Sequence, residues 1–330
     1  MANALHEIAS QMMQKGKGLL AADESNNSVP KRLDPIGLES TPENRRRFRD
    51  LYLSAPGAEE YMSGVILYDE TLRQNASDGT PFTELLTSKG IVPGIKVDAG
   101  AKDLEAFPGE KLTEGLDGLA DRLKEYHDLG ARFAKWRGVI NIGKGIPTQE
   151  MIDANAFVLA IYALRCQEAG IVPMVEPEVV LKGSHTIETA EQVTTNVLKT
   201  CIAQLKKYKV DLKGTIVKTS MVVPGSDSGQ PMNPEQIGEA TARCLRASIP
   251  EDIGGVVFLS GGQTSEQATA NLNAVAKHGP FPWRVTFTFA RALQYPALEI
   301  WAGKDENIEK AREAFLERLK ANAAASMGTH

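Results

Sequence analysis

The segment GTIVKTSMV (residues 214–222) places a lysine, Lys218, in the middle of a short apolar run. Two further segments have the same form: VPGIKVD (residues 92–98) with Lys96, and FAKWRGVI (residues 133–140) with Lys135. Each run is typical of a buried strand, where lysine is almost never found without a partner or a function. Three such lysines in one chain indicate a shared site that is positively charged and can supply an amine nucleophile.

Similar apolar runs recur along the chain, and a helical pattern follows each of them. They are rich in Val, Ile and Phe and do not alternate with polar residues, which is typical of parallel strands covered on both faces. The predicted strands are Gly18 to Ala22, Gly64 to Tyr68, Gly94 to Val97, Ala131 to Trp136, Ile171 to Val175, Gly214 to Val217, Gly255 to Leu259, and Val285 to Phe289. The predicted helices include Leu116 to Leu129, Gln149 to Ala169, Thr186 to Lys206, Pro234 to Ser248, and Asp305 to Ala323.

Eight strand-then-helix units without a long linker predict an α/β fold, a (β/α)8 TIM barrel. We expect residues 1–330 to form a single barrel domain with extra helices at the N-terminus and the C-terminus.

The composition excludes several classes of protein. The net charge is −5 and the pI is about 5.7, which argues against a nucleic-acid partner. No apolar run reaches the roughly 18 residues that a membrane helix needs, and the first residues lack the pattern of a secretion signal. We therefore expect a cytoplasmic protein with no membrane partner.

Neither a metal site nor a cofactor is expected. Cys166, Cys201 and Cys244 lie far apart in helix-like segments, which predicts buried, reduced thiols. The five histidines have no spacing typical of metal ligands. The chain also lacks a Walker A loop and a Gly-x-Gly-x-x-Gly fingerprint after a strand.

Polar residues follow or interrupt every predicted strand at its C-terminal end, where barrel enzymes build their active sites. Four of the eight strands carry cations and the others mostly carry carboxylates. In chain order these residues are Asp23 to Ser25, Asp69 and Glu70, Lys96 and Asp98, Lys135 and Arg137, Glu176 and Glu178, Lys218, Ser260 to Gln263, and Arg291.

Two anion sites are predicted. The Ser260-Gly261-Gly262 turn allows backbone N–H groups to approach a phosphate closely, and Arg291 can bind the same group. Thr264 to Gln267 has the form of a capping box that opens the next helix. The alternative is an ordinary turn beside a surface arginine.

The second anion site lies across the barrel mouth, and the two sites together would suit a substrate phosphorylated at both ends. The alternative for Lys31 and Arg32 is a solvated helix face. The residues that could form this site are Ser25, Ser28, Lys31, Arg32, Lys96 and Arg137.

Lys218 is the candidate nucleophile. An amine of ordinary pKa, ~10.4, is almost entirely protonated at neutral pH, so a working amine needs burial and a second cation nearby. Lys135 and Lys96 are candidates for that cation, and Glu176 could move protons while an imine forms. Two alternatives stay open: Lys218 as a structural lysine paired with Glu176 or Asp23, and Glu176 with Glu178 as helix-capping acids.

With these residues in place, the chain resembles the class I fructose-1,6-bisphosphate aldolases from about Ile8 to Ala323. The segments that carry the resemblance are GKGLLAADES (16–25), GVILYDET (64–71), GIKVD (94–98), FAKWR (133–137), IVPMVEPE (171–178), FLSGGQ (258–263) and RALQ (291–294). The resemblance implies a TIM-barrel lyase that works through a lysine Schiff base, needs no metal and is usually a homotetramer.

The resemblance also implies a role for each matching residue. Lys218 corresponds to the Schiff-base lysine, Glu176 to the general acid/base, and Lys135 to the lysine that assists carbinolamine chemistry. Asp23 corresponds to the carboxylate near the cleaved bond. The C1-phosphate would bind Ser260, Gly261, Gly262, Thr288 and Arg291 with Arg32 nearby, and the C6-phosphate would bind Ser25, Ser28 and Lys96, with Arg45 and Arg137 as further basic residues.

The chain departs from the family pattern in three places. Lys218 is followed by Thr-Ser-Met-Val where animal members have Pro-Asn-Met-Val, and Thr288-Phe-Ala-Arg291 replaces Ser-Tyr-Gly-Arg. The sequence ends at His330, without the tyrosine-ended tail that vertebrate members use for proton exchange at C1. We expect another residue or water to perform that step, or the step to be slow, and the short form suggests a bacterial branch.

The sequence is also compatible with two other functions. One is an imine-forming aldolase that acts on sedoheptulose 1,7-bisphosphate. The other is a non-catalytic scaffold that binds anionic partners at the two phosphate sites.

Overall fold

The computed structural model describes residues 2–330, which form ten strands and twelve α-helices. The strands are β1 Gly18–Ala22, β2 Met62–Leu67, β3 Val92–Lys96, β4 Ala101–Leu104, β5 Phe107–Thr113, β6 Phe133–Ile140, β7 Val172–Val179, β8 Ile216–Thr219, β9 Gly255–Phe258 and β10 Val285–Phe289. The helices are α1 Ala2–Met12, α2 Pro30–Leu33, α3 Pro42–Leu53, α4 Asp69–Leu72, α5 Phe82–Ser88, α6 Leu119–Asp128, α7 Gln149–Glu168, α8 Ile187–Lys207, α9 Pro234–Ser248, α10 Ser265–Lys277, α11 Arg291–Trp301 and α12 Ile308–Ser326. Short 3-10 helices cover Asp34–Ile36, Ala58–Glu60 and Asp305–Asn307.

Eight parallel strands close into a barrel in the order β1-β2-β3-β6-β7-β8-β9-β10, and β10 pairs with β1. At least one helix follows each barrel strand, so the predicted (β/α)8 fold is confirmed. All eight predicted strands are present, although their ends shift by a few residues.

The alternation of side chains along the strands separates an inner from an outer core. Outward residues such as Leu20, Val65 and Val217 join the apolar layer under the surrounding helices. The inward residues form a separate cluster with three residues of α1, which closes the N-terminal end of the barrel. The inner cluster includes Leu19, Ile66, Val92, Phe133, Met174, Ile216 and Val257, with Leu5, Ala9 and Met12 from α1.

Side-chain caps determine where several helices begin. The hydroxyl of Thr264 accepts the backbone N–H of Gln267, and the Gln267 side chain accepts the backbone N–H of Thr264, so the predicted capping box is confirmed. Thr148 and Thr186 cap α7 and α8 in the same way through their hydroxyls.

Two features differ from the sequence prediction. The antiparallel hairpin β4–β5 was missed because its residues are mostly exposed and form no continuous apolar run. Strand β7 continues to Val179, so Glu176 and Glu178 are strand residues and the alternative that they cap a helix is wrong. The prediction ended this strand at Val175 because the two charged residues interrupt its apolar run. Both side chains are inward at the polar end of the barrel.

Among the described residues, none of the helices combines the length and the apolar character required to span a bilayer.

Gly94 is a packing requirement of the inner core, because a Cβ at this position would overlap the ring of Phe133. We predict that Gly94→Ala lowers the melting temperature, at a cost of about 1–3 kcal/mol for overpacking. The double variant Gly94→Ala/Phe133→Leu should recover part of the loss, since the smaller side chain leaves room for the methyl group. Thermal unfolding followed by circular dichroism measures both effects, and a wild-type melting temperature for Gly94→Ala would contradict this packing.

Candidate active site

The three lysines from the apolar runs all lie at the C-terminal end of the barrel interior. Lys135 is two residues beyond Phe133 on β6, and Lys218 is two residues beyond Ile216 on β8, so both side chains are inward. Lys96 ends β3 and is the register partner of Lys135. Lys135 and Lys218 are each only 4% exposed. The structure therefore brings together the three residues that the sequence placed in separate segments.

Two carboxylates join the buried lysines into one chain of contacts. Glu176 lies on β7, between β6 and β8, and its Oε1 is 3.1 Å from Lys218 Nζ while its Oε2 is 3.3 Å from Lys135 Nζ. Asp23, just after β1, brings its Oδ2 to 2.6 Å from Lys135 Nζ. The order Asp23–Lys135–Glu176–Lys218 alternates negative and positive groups.

Neighbouring charges shift the pKa values of Asp23, Glu176 and Lys135. Burial alone would raise the pKa of Asp23, but Lys135, Lys218 and Lys96 outweigh it and lower the pKa to about 2. The same balance lowers the pKa of Glu176, where Lys135, Lys218 and Arg137 oppose burial. Burial would lower the pKa of Lys135, but Asp23, Glu176 and Asp98 raise it well above its ordinary value. Lys135 is therefore a fixed cation between two carboxylates.

The two oxygens of Glu176 have different surroundings. Within residues 2–330, Oε2 is buried and accepts no hydrogen bond, although it lies 3.3 Å from Lys135 Nζ. The other oxygen, Oε1, faces Lys218. Glu176 thus faces Lys218 with one oxygen and Lys135 with the other.

The predicted phosphate turn follows β9, the strand that pairs with the Lys218 strand β8. Gly261 and Gly262 have φ angles of +52° and +94°, a backbone conformation that favours glycine. Arg291 begins α11, and its Nη2 would lie 3.7 Å from a Cβ built on Gly262, so the guanidinium adjoins the turn. Ser260 is buried, and the buried Oγ1 of Thr288 on β10 has no hydrogen-bond partner in the described part of the chain. These features suit an anion that accepts several hydrogen bonds.

The residues predicted for the second anion site lie after β1, at the end of β3 and within β6. The hydroxyls of Ser25 and Ser28 are 3.0 Å apart. Lys96 Nζ is 2.6 Å from Asp98 Oδ1, and Arg137 donates to Glu178. Each of these two cations is therefore neutralised by a nearby carboxylate in the structure.

Arg32 and Arg45 occupy different settings. Arg32 is partly buried, donates to Glu24 at 3.4 Å and to the Tyr295 hydroxyl at 3.2 Å, and so does not belong to a solvated helix face. Arg45 makes a bidentate contact with Glu70, which also accepts from Asn26 next to Ser25. Arg45 thus reaches the β1 turn through Glu70.

Several residues that support the site were given no role in it by the sequence prediction. Asp98 accepts from Lys96 and from the backbone N–H groups of Gly100 and Arg137, and Glu178 holds Arg137. Arg49 on α3 is buried against Glu24. The available signal was the position of Arg49 between the apolar residues Phe48 and Leu51, which marks the inner face of the helix.

Among the described residues, no group of three or more His, Cys, Asp or Glu side chains is arranged to hold a metal ion. Cys166, Cys201 and Cys244 are buried and free, as predicted. Burial raises the pKa of Cys201 to about 12 and that of Cys244 to about 11, so these thiols are not nucleophiles.

Two crevices of about 620 and 670 Å³ open at the opposite end of the barrel, among loops that precede the strands. Their linings include Lys17 and Trp283 in one and Arg132 in the other, but not the buried chain of charges. The candidate active site is therefore identified by its buried charged side chains and not by the volume of a cavity.

Comparison with known proteins gives a consistent result. Residues 4–330 match the family described as class-I fructose-bisphosphate aldolase. The chain is 50% identical over 326 residues to a probable fructose-bisphosphate aldolase class 1 of Xanthomonas axonopodis pv. citri, covering 98% of this chain and 97% of that protein. It is 49% identical over 330 residues to fructose-bisphosphate aldolase 6, cytosolic, of Arabidopsis thaliana, covering all of this chain and 92% of that protein.

A solved structure is also similar. Fructose-bisphosphate aldolase from Plasmodium falciparum, crystallised with TRAP and a small-molecule inhibitor, superposes with a TM-score of 0.98 at 45% identity. The match covers 100% of this chain and 95% of that chain.

The low pKa of Asp23 predicts a pH-dependent contribution to stability. Because this pKa falls from 3.8 to about 2 on folding, the unfolded chain takes up the proton first as pH falls. The contribution, about 2 kcal/mol, is therefore fully present above pH ~4 and is lost between pH ~4 and ~2. Asp23→Asn should show a flatter dependence of the free energy of unfolding on pH in this range, measured by urea denaturation.

The control for this prediction is Asp305→Asn, since Asp305 is 80% exposed in its pair with Arg47. It should keep the wild-type pH dependence. Identical curves for wild type and Asp23→Asn would contradict the assigned charge balance.

Proposed function

This chain belongs to the class-I fructose-bisphosphate aldolase family, and from that premise we propose that Lys218 is the amine that forms the Schiff base. The enzyme is a lyase that cleaves fructose 1,6-bisphosphate reversibly to dihydroxyacetone phosphate and glyceraldehyde 3-phosphate. The observation that supports Lys218 is its buried contact with Glu176, at 3.1 Å. This contact belongs to the series of charge contacts that continues from Glu176 to Lys135 and Asp23.

Imine formation begins with the transfer of a proton from Lys218. Glu176 Oε1 is placed to accept it, which frees the nitrogen lone pair to attack the C2 ketone. The resulting carbinolamine loses its hydroxyl as water when a proton is delivered to the oxygen, and Glu176 is the group that can deliver it. The product is a protonated imine between Lys218 and C2.

Cleavage of the C3–C4 bond uses that imine as an electron sink. A base removes the proton of the C4 hydroxyl, the C4 oxygen becomes the aldehyde, and the bonding electrons flow into the imine to give an enamine. Asp23 and Glu176 are the candidate bases, because Lys135 holds both as carboxylates. Protonation of the enamine carbon and hydrolysis of the imine then release dihydroxyacetone phosphate and return Lys218.

We assign the two phosphates to opposite sides of the barrel mouth. The conformation of the glycine turn and the nearby Arg291 support a C1-phosphate site. The paired hydroxyls after β1 and the cations of β3 and β6 support a C6-phosphate site. The C1 residues are Ser260, Gly261, Gly262, Thr288, Arg291 and Arg32, and the C6 residues are Ser25, Ser28, Lys96 and Arg137, with Arg45 as a support for the β1 turn.

Three broader features belong to the same proposal. Residues 1–330 act as one domain, since the barrel uses strands from residue 18 to residue 289 and α1 closes its interior. A homotetramer is proposed from the family membership, and a cytoplasmic location from the names of the cytosolic Arabidopsis relatives. Light scattering in solution tests the tetramer directly.

The Schiff-base assignment predicts a covalent product. Borohydride reduction in the presence of dihydroxyacetone phosphate should add the ligand to the peptide that contains Lys218, as measured by mass spectrometry. Lys218→Ala should lose the label and lower kcat by about 10³-fold or more. Label on a different lysine would contradict the assignment, and Lys213→Ala serves as a control on an exposed lysine five residues earlier.

The phosphate assignment predicts a change mainly in substrate affinity. Arg291→Ala should raise KM for fructose 1,6-bisphosphate about 10- to 100-fold, because a charge-assisted contact to phosphate is lost, while kcat changes much less. Arg284→Ala, an exposed arginine just before β10, is the matched control. Steady-state kinetics on a panel that includes sedoheptulose 1,7-bisphosphate measures both parameters, and an unchanged KM for Arg291→Ala would contradict the C1-phosphate site.

A further inference from the structure

Glu24, which stands between Asp23 and Ser25, is held by a buried arginine from α3. Arg49 Nη1 donates to Glu24 Oε2 at 2.5 Å, and its Nη2 donates to the Glu24 backbone oxygen at 2.9 Å. Arg49 is 2% exposed and the Glu24 side chain is also buried. One arginine therefore holds both the carboxylate and the main chain of the turn that carries Asp23 and Ser25.

The same carboxylate has a second, weaker arginine partner. Arg32 Nε is 3.4 Å from Glu24 Oε1, near the limit of a hydrogen bond, whereas the contact with Arg49 is short. Arg32 also donates to the Tyr295 hydroxyl at 3.2 Å, and its guanidinium carbon lies 5.5 Å from the centre of that ring. With one carboxylate between two guanidinium groups, a positive charge remains in excess on the side of Arg32.

Further contacts tie this pair to the phosphate side of the barrel. The Tyr52 hydroxyl on α3 donates to the backbone oxygen of Gln294 at 3.1 Å, and the Gln294 amide donates to the Ala21 oxygen on β1 at 3.3 Å. Helix α3, strand β1 and helix α11, which begins at Arg291, are thus connected through buried polar contacts.

We propose that Arg49 is a positioning residue for substrate binding. By neutralising Glu24 from the buried side, Arg49 leaves Arg32 weakly held and available to the C1-phosphate. This inference rests on the proposed function, because it takes Arg32 as a ligand of that phosphate. Without Arg49, the Glu24 carboxylate has Arg32 as its remaining cationic partner, and the substrate phosphate must compete with it.

The proposal makes opposite predictions for the two members of the pair. Arg49→Met should raise KM for fructose 1,6-bisphosphate about tenfold or more, with kcat within about threefold of wild type. Glu24→Gln keeps an oxygen acceptor for Arg49 but removes the charge that competes for Arg32, so KM should be equal to or lower than that of the wild type. The double variant Glu24→Gln/Arg49→Met should return KM toward the wild-type value.

Arg46→Met is the matched control, because Arg46 lies on the same helix but pairs with Glu43 and Asp50. It should leave KM unchanged. Two results would overturn the proposal: a tenfold increase in KM for Glu24→Gln, or a double variant with a KM as high as that of Arg49→Met. A merely structural role for the pair predicts a higher KM from either substitution. If Arg49→Met does not fold, the KM of Glu24→Gln alone decides between the positioning role and a merely structural role.

Failure of the proposed function would have a different signature. Wild-type enzyme without cleavage activity or borohydride label at Lys218 would contradict the proposed mechanism. Normal labelling with a wild-type KM for Arg32→Met would instead remove Arg32 from the phosphate site and overturn the role of Arg49 while leaving the Schiff base intact.

Discussion

The active end of the barrel depends on one carboxylate shared between two buried lysines. Glu176 contacts Lys135 and Lys218 with its two oxygens, and Asp23 completes the balance of two positive and two negative groups. Isolated charges at this depth would be strongly destabilising, and the cost is offset only when the partners are close and well oriented. These four buried groups therefore stabilise one another.

The barrel supplies that orientation through strand order and side-chain alternation. Because β7 lies between β6 and β8, an inward carboxylate on β7 falls between inward lysines on its two neighbours. The same inward positions are apolar toward the N-terminal end, where α1 packs against them. The interior thus changes along its axis from a packed apolar plug to a reactive polar mouth, as expected for this fold.

The cations around the mouth are largely balanced by internal carboxylates. Lys96 contacts Asp98, Arg137 contacts Glu178, and Arg45 contacts Glu70. A chain with a net charge of −5 can in this way keep a basic site without a basic surface. On the phosphate assignment that we propose, the substrate phosphates compete with these carboxylates for the cations. Glu24 differs from these carboxylates because it contacts two arginines. Its contact with Arg49 is short, and its contact with Arg32 is long.

The sequence by itself determined the fold class, the eight strands and the identity of the buried lysines and their carboxylates. It could do so because apolar runs interrupted by charge are strong local signals. It did not determine that Glu176 lies between Lys135 and Lys218, or that Glu178 belongs to a strand, since both depend on the register of β6, β7 and β8. The buried contact of Arg49 with Glu24 was likewise decided only by the tertiary structure. In the run Arg45 to Arg49 the chemistry of four arginines is the same, and only the packing of α3 against the β1 turn buries one of them against Glu24.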